Sequence, residues 1–364
     1  MKKITVTVIN DLATDQRVYR TCSLLMEMGF QVTLIGRQLP DSMPIYRPYK
    51  TKRFKFLINR TPLFYIAFHV RLFFYLLFTH QDIFWANDLD TLLANTLVSR
   101  LKHKPLIYDS HELFTESTQL YKRNFIKNIW KVIENFCFPH VDTFITVSEP
   151  IAEYYNKKYK KPIYIIKNLP SRLSDNNKTA INNDKFTLVM QGNVNIRRGY
   201  EEAVLSLKNL DNVYLYIIGD GDAIDKLHEI ISKEKLDDKV KLIPKLPYEE
   251  MMRFTNSADV GLCLENPNFL NSYYSLPNKI FEYIQAGIPI IATNLPEVKK
   301  IIDKYNVGII IDELSPAEIS NAVNKLKNDK NLYNKLQENT KIAALELSWE
   351  NEKGKLIEIL KKYQ

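Results

Sequence analysis

Cysteine is nearly absent from this 364-residue chain: Cys22, Cys137 and Cys263 lie far apart, and no two share a C-x-x-C spacing. That excludes a disulfide framework and a cysteine zinc cluster, and makes a reducing compartment the simple reading. No G-x-G-x-x-G string occurs, which argues against a nicotinamide or flavin enzyme. No apolar run is both long and clean enough for a convincing membrane span. The best candidate, "FLINRTPLFYIAFHVRLFFYLLF" at residues 56–78, is interrupted by Pro62, His69 and Arg71. The start, "MKKITVTVIN", has no small-residue cleavage site and alternates as a strand does, so it reads as a first strand and not as a signal.

What is present is a soluble globular composition, 45% apolar and 25% charged with 12% aromatic residues, over a length that suits two domains. Charge is divided unevenly. Residues 1–170 hold 24 Lys/Arg against 14 Asp/Glu, whereas residues 171–364 hold 26 against 28, so the net +8 comes from the first half. Such a half suits an acidic partner, for which anionic lipid, a phosphorylated acceptor and nucleic acid are all candidates. The aromatic 56–78 stretch reads as a buried helix or as a surface segment dipping into a bilayer with help from Arg53, Lys55 and Arg60.

Strand-like runs alternate with helical patterns along the whole chain. "ITVTVIN", the helical "DQRVYRTCSLLMEMGF" and "QVTLIG" form a first βαβ unit. "DIFWAND", "PLIYDS", "DTFITVS" and "PIYIIKN" continue the series, which predicts a parallel, doubly wound sheet for residues 1–170. The Asn-rich, aperiodic "SRLSDNNKTAINNDK" at 171–185 reads as a linker. The alternation then restarts with "FTLVMQG", "NVYLYIIGDGD", "KVKLIPK", "ADVGLCLE", "IPIIATN" and "VGIIID", predicting a second such domain over 186–348. The expected fold is therefore α/β, two Rossmann-like domains whose parallel sheets face an interdomain cleft. Ligands in open α/β sheets bind at the carboxyl ends of strands, where the conspicuous loops fall.

Several of those loops carry polar chemistry. In "LVMQGNVNIRRGYEEAV", a strand ends at Gly192 and a helix begins near Tyr200, so backbone N–H groups converge with the guanidinium groups of Arg197 and Arg198 where a phosphate could sit. Gly219 and Gly221 in "IIGDGD" permit close ligand approach. In "SLPNKIFEYIQAGIPIIATNLPE", Lys279 and Glu282 fall on the first turns of a helix. Glu282 can accept hydrogen bonds from ribose hydroxyls and Lys279 can neutralise phosphate, or the two form an ordinary i, i+3 surface pair. "YDSHELFTE" sets Asp109, His111 and Glu112 at a strand end, and Asp11, Asp15 and Arg17 follow the first strand. Asp15 also suits the role of helix cap. Two D-x-D strings, Asp88–Asp90 and Asp220–Asp222, raise the question of a divalent ion holding a diphosphate.

In this order, "NDLATDQRVYRTCSLLMEMGFQVTLIGR", "WANDLDTLLA", "IYDSHELFTE", "DTFITVSEPIAEYY", "IIKNLP", "GNVNIRRGY", "IIGDGD", "ADVGLCL" and "NKIFEYIQAGIPIIATNLPE" resemble the family-4 retaining glycosyltransferases of GT-B architecture, over nearly the full chain. The resemblance implies that Glu282 is the second glutamate of the family's glutamate, seven residues, glutamate motif, which holds the donor ribose. It implies that Arg198 binds the diphosphate, that Gly192 and Asn193 form the loop beneath it, and that His111 lies near donor sugar and acceptor, bonding a sugar hydroxyl and helping to stabilise oxocarbenium-like charge.

The motif's first glutamate is missing, with Tyr274 at its position. Either Tyr274 and Ser275 offer hydroxyls there or Glu265 supplies the carboxylate. The resemblance further implies a last helix, 349–364, crossing back to the first domain with Trp349 as anchor. It implies a nucleotide-sugar donor as co-substrate, a sugar or lipid-linked sugar acceptor, no cofactor, no metal and no nucleic acid. Placement would be cytoplasmic, with an anionic membrane surface as a candidate partner. A nucleotide-sugar epimerase of the same architecture and a non-catalytic partner subunit are the alternatives.

Overall fold

The computed structural model describes residues 1–13, 15–40, 42–59, 61–117, 120–173 and 185–364. Residues 174–184 of the expected linker, and Arg60, lie outside these. The chain divides into two compact units, one formed by Met1–Asn168 with Lys353–Gln364 and the other by Leu169–Glu352.

The first unit is built on seven parallel strands: β1 (Lys3–Asp11), β2 (Gln31–Gln38), β3 (Lys50–Lys55), β4 (Ile83–Asn87), β5 (Leu106–Ser110), β6 (Thr143–Thr146) and β7 (Ile163–Ile165). Their spatial order is β3-β2-β1-β4-β5-β6-β7, so the winding reverses between β1 and β4. Central strands are buried along their length, as the continuous apolar runs "IFWA" and "LIY" require of a sheet covered on both faces. Every expected strand is present, and β3 is an addition. Its sequence, KTKRFK, looks like a solvated loop because it is an edge strand, where exposed lysines discourage pairing with another chain and only Phe54 turns fully inward.

The second unit carries six parallel strands: β8 (Phe186–Gln191), β9 (Val213–Ile218), β10 (Val240–Ile243), β11 (Val260–Cys263), β12 (Ile290–Thr293) and β13 (Gly308–Ile311). Their order is β10-β9-β8-β11-β12-β13, and the winding reverses between β8 and β11. Both sheets thus have a switch point, where neighbouring strands send their connections in opposite directions and leave a crevice at the carboxyl ends. The loops singled out from the sequence flank these two crevices.

Helix Asn278–Gln285 is placed over the second sheet by one close approach. Gly261 in β11 lies beneath the ring of Tyr283, and a Cβ there would come within 2.3 Å of it. The Tyr283 hydroxyl donates to the Leu262 carbonyl at 3.1 Å. The helix ends as its sequence suggests, with Gly287 at φ +69°, Gly287 N–H on the Ile284 carbonyl and Ile288 N–H on that of Tyr283, a left-handed cap that only glycine enters without strain.

The aromatic 56–78 stretch resolves into helix Pro62–Phe78, whose face Phe64, Phe68, Leu72 and Leu76 is buried. Phe54 and Phe68 meet edge to face with ring centroids 6.1 Å apart. The opposite face leaves Leu63, Ile66, Val70, Phe74 and Phe78 exposed. The buried face agrees with the reading of a buried helix. Among the described residues no helix is long and apolar enough to cross a membrane.

Phe68 is fully buried and Phe74 is 50% exposed on the same helix. Phe68→Ala should cost about 3–5 kcal/mol in denaturant unfolding, and Phe74→Ala about 0.5 kcal/mol or less. Equal costs would contradict this orientation.

Candidate functional site

In the first unit, the carboxyl end of β5 places Asp109 beside Arg17, a residue of helix Gln16–Glu27. The pair is bidentate, with Arg17 Nη2 donating to Oδ1 at 2.7 Å and Nε to Oδ2 at 3.0 Å, while Nη1 donates to the Ile166 carbonyl at 2.9 Å. Both side chains are almost entirely buried. Burial raises the carboxyl pKa, but Arg17 and then His111 overcome this and hold Asp109 well below the usual carboxylate range.

His111 lies two residues beyond Asp109, between two carboxylates. Its Nδ1 is 3.1 Å from Asp88 Oδ2 and its Nε2 is 3.4 Å from Asp109 Oδ2. The first contact is a charge-assisted hydrogen bond. The second is Coulombic, since Nε2 makes no aligned hydrogen bond. Asp88 also accepts the His111 backbone N–H through Oδ1 at 2.8 Å. To hold this position Asp88 adopts φ +56° and ψ 166° just before helix Leu89–Lys102, a positive-φ extended conformation that costs a non-glycine residue about 1–3 kcal/mol and is typical of functional sites. Burial disfavours the charged ring, yet Asp88 and Asp109 outweigh it and push the His111 pKa up to about 10.

His111 is therefore an imidazolium at neutral pH. Nδ1 is taken by Asp88 and Nε2 is buried against Asp109. A protonated ring cannot serve as a base.

The remaining residues of the first unit have structural partners. Asp15 caps its helix by accepting from Val18 N–H at 3.1 Å, and Asp11 accepts from Arg53 at 2.9 Å. Glu112 follows His111 in the same loop and adds negative charge near Asp90. Asp90 is buried, and desolvation followed by the charges of Asp88 and Glu112 raises its pKa well above the ordinary value. The first D-x-D string thus splits into a histidine clamp and a buried acid.

In the second unit, Lys279 and Glu282 are not a surface pair. Lys279 is only 7% exposed, with Nζ 3.2 Å from Glu265 Oε1 and 5.6 Å from the centroid of the Tyr200 ring. Burial works against the ammonium charge, but Glu265 prevails and holds its pKa above the ordinary lysine value. Arg198 Nε lies 3.8 Å from Glu265 Oε2, so one carboxylate faces two cations. Glu265 is fixed through its backbone: its N–H donates to Thr293 Oγ1 at 3.1 Å, and that hydroxyl donates to its carbonyl at 2.8 Å. Glu282 instead accepts from Gln191 Nε2 at 2.6 Å, and Gln191 Oε1 accepts from Thr255 at 2.5 Å.

Two glycine turns bring these loops together. Gly192 N–H bonds the Ile218 carbonyl, and Val194 N–H bonds that of Asp220, both at 3.0 Å. A Cβ on Gly219, whose φ is +145°, would stand 1.9 Å from the Gly192 carbonyl oxygen, and one on Gly221 would stand 2.1 Å from that of Val194. Asn193 is exposed in this loop. Asp222 accepts the Ile196 N–H at 2.8 Å, so the second D-x-D string braces the loop. Among the described residues no group of three or more His, Cys, Asp or Glu could hold a metal. Arg197 sits 5.5 Å from the Phe269 ring centroid, and the Ser275 hydroxyl donates to the Ser272 carbonyl at 2.8 Å. Of the alternatives at the missing glutamate, Glu265 is the one placed beside Arg198 and Lys279. Tyr274 is half-buried at the end of helix Leu270–Tyr274.

Sequence reasoning missed Gln191, and it singled out Asp88 only as a member of a D-x-D string and not as the partner of His111. The first was legible as a polar residue ending an apolar strand. The second is set by a backbone angle that composition does not reveal.

Residues 171–343 match the family described as Glycosyl transferases group 1, and residues 15–169 match Glycosyltransferase Family 4. The chain belongs to the family-4 glycosyltransferases. A curated relative, the lipopolysaccharide core biosynthesis glycosyltransferase LpsD of Rhizobium meliloti, is 24% identical over 157 residues. That match spans 42% of this chain and 42% of LpsD, less than half of the relative's length. Among solved structures, this glycosyltransferase is similar to sucrose-phosphate synthase from Thermosynechococcus elongatus, with a TM-score of 0.80 at 16% identity over the whole of both chains. It is also similar to Anabaena HepE in complex with UDP-glucose, with a TM-score of 0.75 at 14% identity over the whole of both chains. These likenesses show a shared GT-B fold.

The His111 clamp sets a pH dependence. A folded-state pKa near 10 against about 6.5 unfolded gives a contribution fully present below pH 6.5, eroding as pH rises, and gone above about 10. Urea stability should therefore fall over this window in the wild type and fall less in His111→Gln. Parallel profiles would contradict the charge assigned to His111.

Proposed function

We propose that this glycosyltransferase moves a sugar, with retention of configuration, from a nucleoside diphosphate sugar to an acceptor hydroxyl during synthesis of a cell-surface polysaccharide or glycolipid. The observation that carries the reading is the cation pair Arg198 and Lys279, held by Glu265 at the switch point of the second sheet with Glu282 one helical turn away. A diphosphate leaving group gains negative charge as the bond to the sugar breaks. Cations already fixed in place stabilise that charge without reorganising.

Glu282 presents a carboxylate oriented by Gln191 to the ribose hydroxyls. Arg198 has the planar fork suited to phosphate oxygens and Lys279 acts as a point charge. In the first unit, a shift of the His111 ring away from Asp109 frees Nε2–H to donate to a hydroxyl of the reacting sugar. Glu265 is committed as counter-ion to the two cations, so the reaction runs on the front face. The C1–O bond to phosphate breaks, the C1–O bond to the acceptor forms on the same side, and the acceptor proton passes to the departing phosphate oxygen. Arg198 and Lys279 supply the positive charge that a divalent ion would otherwise provide.

Two relatives support this reading. HepE is solved with UDP-glucose, and LpsD is named for lipopolysaccharide core biosynthesis. A lipid-linked acceptor fits the exposed apolar face of helix Pro62–Phe78 and the basic first unit, so we place the protein on the cytoplasmic face of a membrane as a peripheral protein.

Screening UDP-, GDP- and ADP-sugars by thermal shift should find a donor that stabilises the protein, by about 2.7 kcal/mol at a hundred times its dissociation constant. A flat response to all would defeat the reading. Glu282→Gln should weaken nucleotide binding roughly tenfold to a hundredfold while leaving the melting temperature nearly unchanged, since a hydrogen bond to a charged group is worth about 1.5–3 kcal/mol. Arg198→Ala should weaken the diphosphate but spare the nucleoside. Chelation of divalent ions should leave the rate within about twofold. Sugar isomerisation without acceptor would favour an epimerase instead.

A further inference from the structure

Gln191 is the last residue of β8, where the largely apolar run "FTLVM" reaches the switch point of the second sheet. It is only 1% exposed, and a buried amide costs stability unless it is bonded. It is bonded at both ends. Nε2 donates to Glu282 Oε2 at 2.6 Å and lies 4.0 Å from Met252 Sδ, while Oε1 accepts from Thr255 Oγ1 at 2.5 Å. Turned the other way, the amide would set Oε1 against a carboxylate oxygen, two acceptors with no proton between them. The network therefore fixes which end faces Glu282. The backbone beneath is fixed as well, paired with Ile218 of β9 and with its carbonyl accepting from the Tyr200 hydroxyl at 3.4 Å.

The helix that carries Glu282 is docked by other contacts. Helix Asn278–Gln285 is seated by Tyr283 over Gly261 and by the Tyr283 hydroxyl on the Leu262 carbonyl. At its far end Gln285 Nε2 donates to the carbonyls of Ala344 and Leu347 at 2.9 and 3.0 Å. What these contacts leave unset is the Glu282 side chain itself, which is partly exposed on that helix. A glutamate in such a place keeps most of its rotamer freedom unless a partner restrains it. The short, charge-assisted bond from Gln191 supplies that restraint. Because the Gln191 amide is enclosed, it reaches a ligand only through Glu282.

Thr255 completes the chain of bonds. It is fully buried at the end of helix Tyr248–Thr255, and its hydroxyl also lies 3.0 Å from the Met251 carbonyl. Loss of the Gln191 amide would thus leave the hydroxyl with an acceptor.

We propose that Gln191 is a positioning residue for nucleotide recognition, and that the relay Thr255–Gln191–Glu282 holds the Glu282 carboxylate toward the ribose before a nucleotide arrives. A side chain fixed in advance adds no ordering cost when the ligand binds. The role rests on the ribose reading of Glu282 given above.

Calorimetric titration of the full chain with UDP, GDP and ADP, with their 2′,3′-dideoxy forms and with inorganic pyrophosphate tests the relay. The wild type should bind one of the nucleoside diphosphates and bind its dideoxy form about tenfold to a hundredfold more weakly. Gln191→Leu should weaken the ribose form about three- to tenfold while leaving the dideoxy form and pyrophosphate within about twofold of the wild type. Gln191→Glu, nearly isosteric but repelling Glu282, should weaken the ribose form more than Gln191→Leu does. In a Glu282→Gln background, Gln191→Leu should cost less than about twofold more. Thr255→Val should lose part of the ribose discrimination, and Thr255→Ser should keep it. Where Gln191→Leu fails to fold, Gln191→Glu and Thr255→Val carry the same comparison. Ribose discrimination in the Gln191 variants equal to that of the wild type would overturn the relay and leave Glu282 as the ribose ligand. Equal losses for the ribose form, the dideoxy form and pyrophosphate would make Gln191 structural and overturn it too. A wild type that binds nucleotide without distinguishing the dideoxy form would remove the ribose role of Glu282 and the relay with it. One that binds no nucleotide would defeat the transferase reading as well.

Discussion

A charge can be taken out of water only with a counter-charge, and the charged centre in each unit depends on that constraint. In the first unit Asp109 is buried at a strand end and would be untenable without Arg17. Together they fix helix Gln16–Glu27 against the sheet and give His111 one of its two carboxylates. In the second unit Glu265 does the converse, permitting Lys279 to sit nearly buried and Arg198 to approach within 3.8 Å. Removing one member of such a group leaves an unpaired buried charge, typically a loss of 3–5 kcal/mol. The arrangement holds the functional groups in place before any ligand arrives.

The two centres differ in what they offer. Around His111, two carboxylates are balanced by a guanidinium and an imidazolium whose proton stays on throughout the physiological range, so the centre is a rigid array of donors and acceptors suited to a polyhydroxyl ligand. Around Lys279, two cations share one carboxylate and retain a surplus of positive charge for an anion. Glycine turns at 192 and 219 let the two loops pack against each other without side chains between them.

Much of this was legible in the sequence because apolar runs on covered parallel strands are long and unbroken. Central strands such as β4 and β5 announced themselves in that way, and β1 did so by its alternation. The edge strand β3 did not, since its exposed charges hide the period-2 pattern that Phe54 alone betrays. Lys279, Glu282, Arg198 and His111 were identifiable as functional candidates by residue type and position at strand or helix ends. Their partners were not. Lys279 and Glu282 are three apart on a helix and look like a pair, but one turns to Glu265 and the other to Gln191, residues 14 and 91 positions away. Only the strand order brings those together. The charge on His111 was equally hidden, because it depends on an aspartate held at positive φ.

In the proposed reading, Glu265 holds Arg198 and Lys279 in readiness for a diphosphate. A crystal structure with a bound nucleoside diphosphate tests it most directly. Phosphate oxygens should lie within hydrogen-bond distance of Arg198 and Lys279, with the ribose hydroxyls on Glu282. A nucleotide bound elsewhere, or one that leaves both cations facing only Glu265, would contradict it.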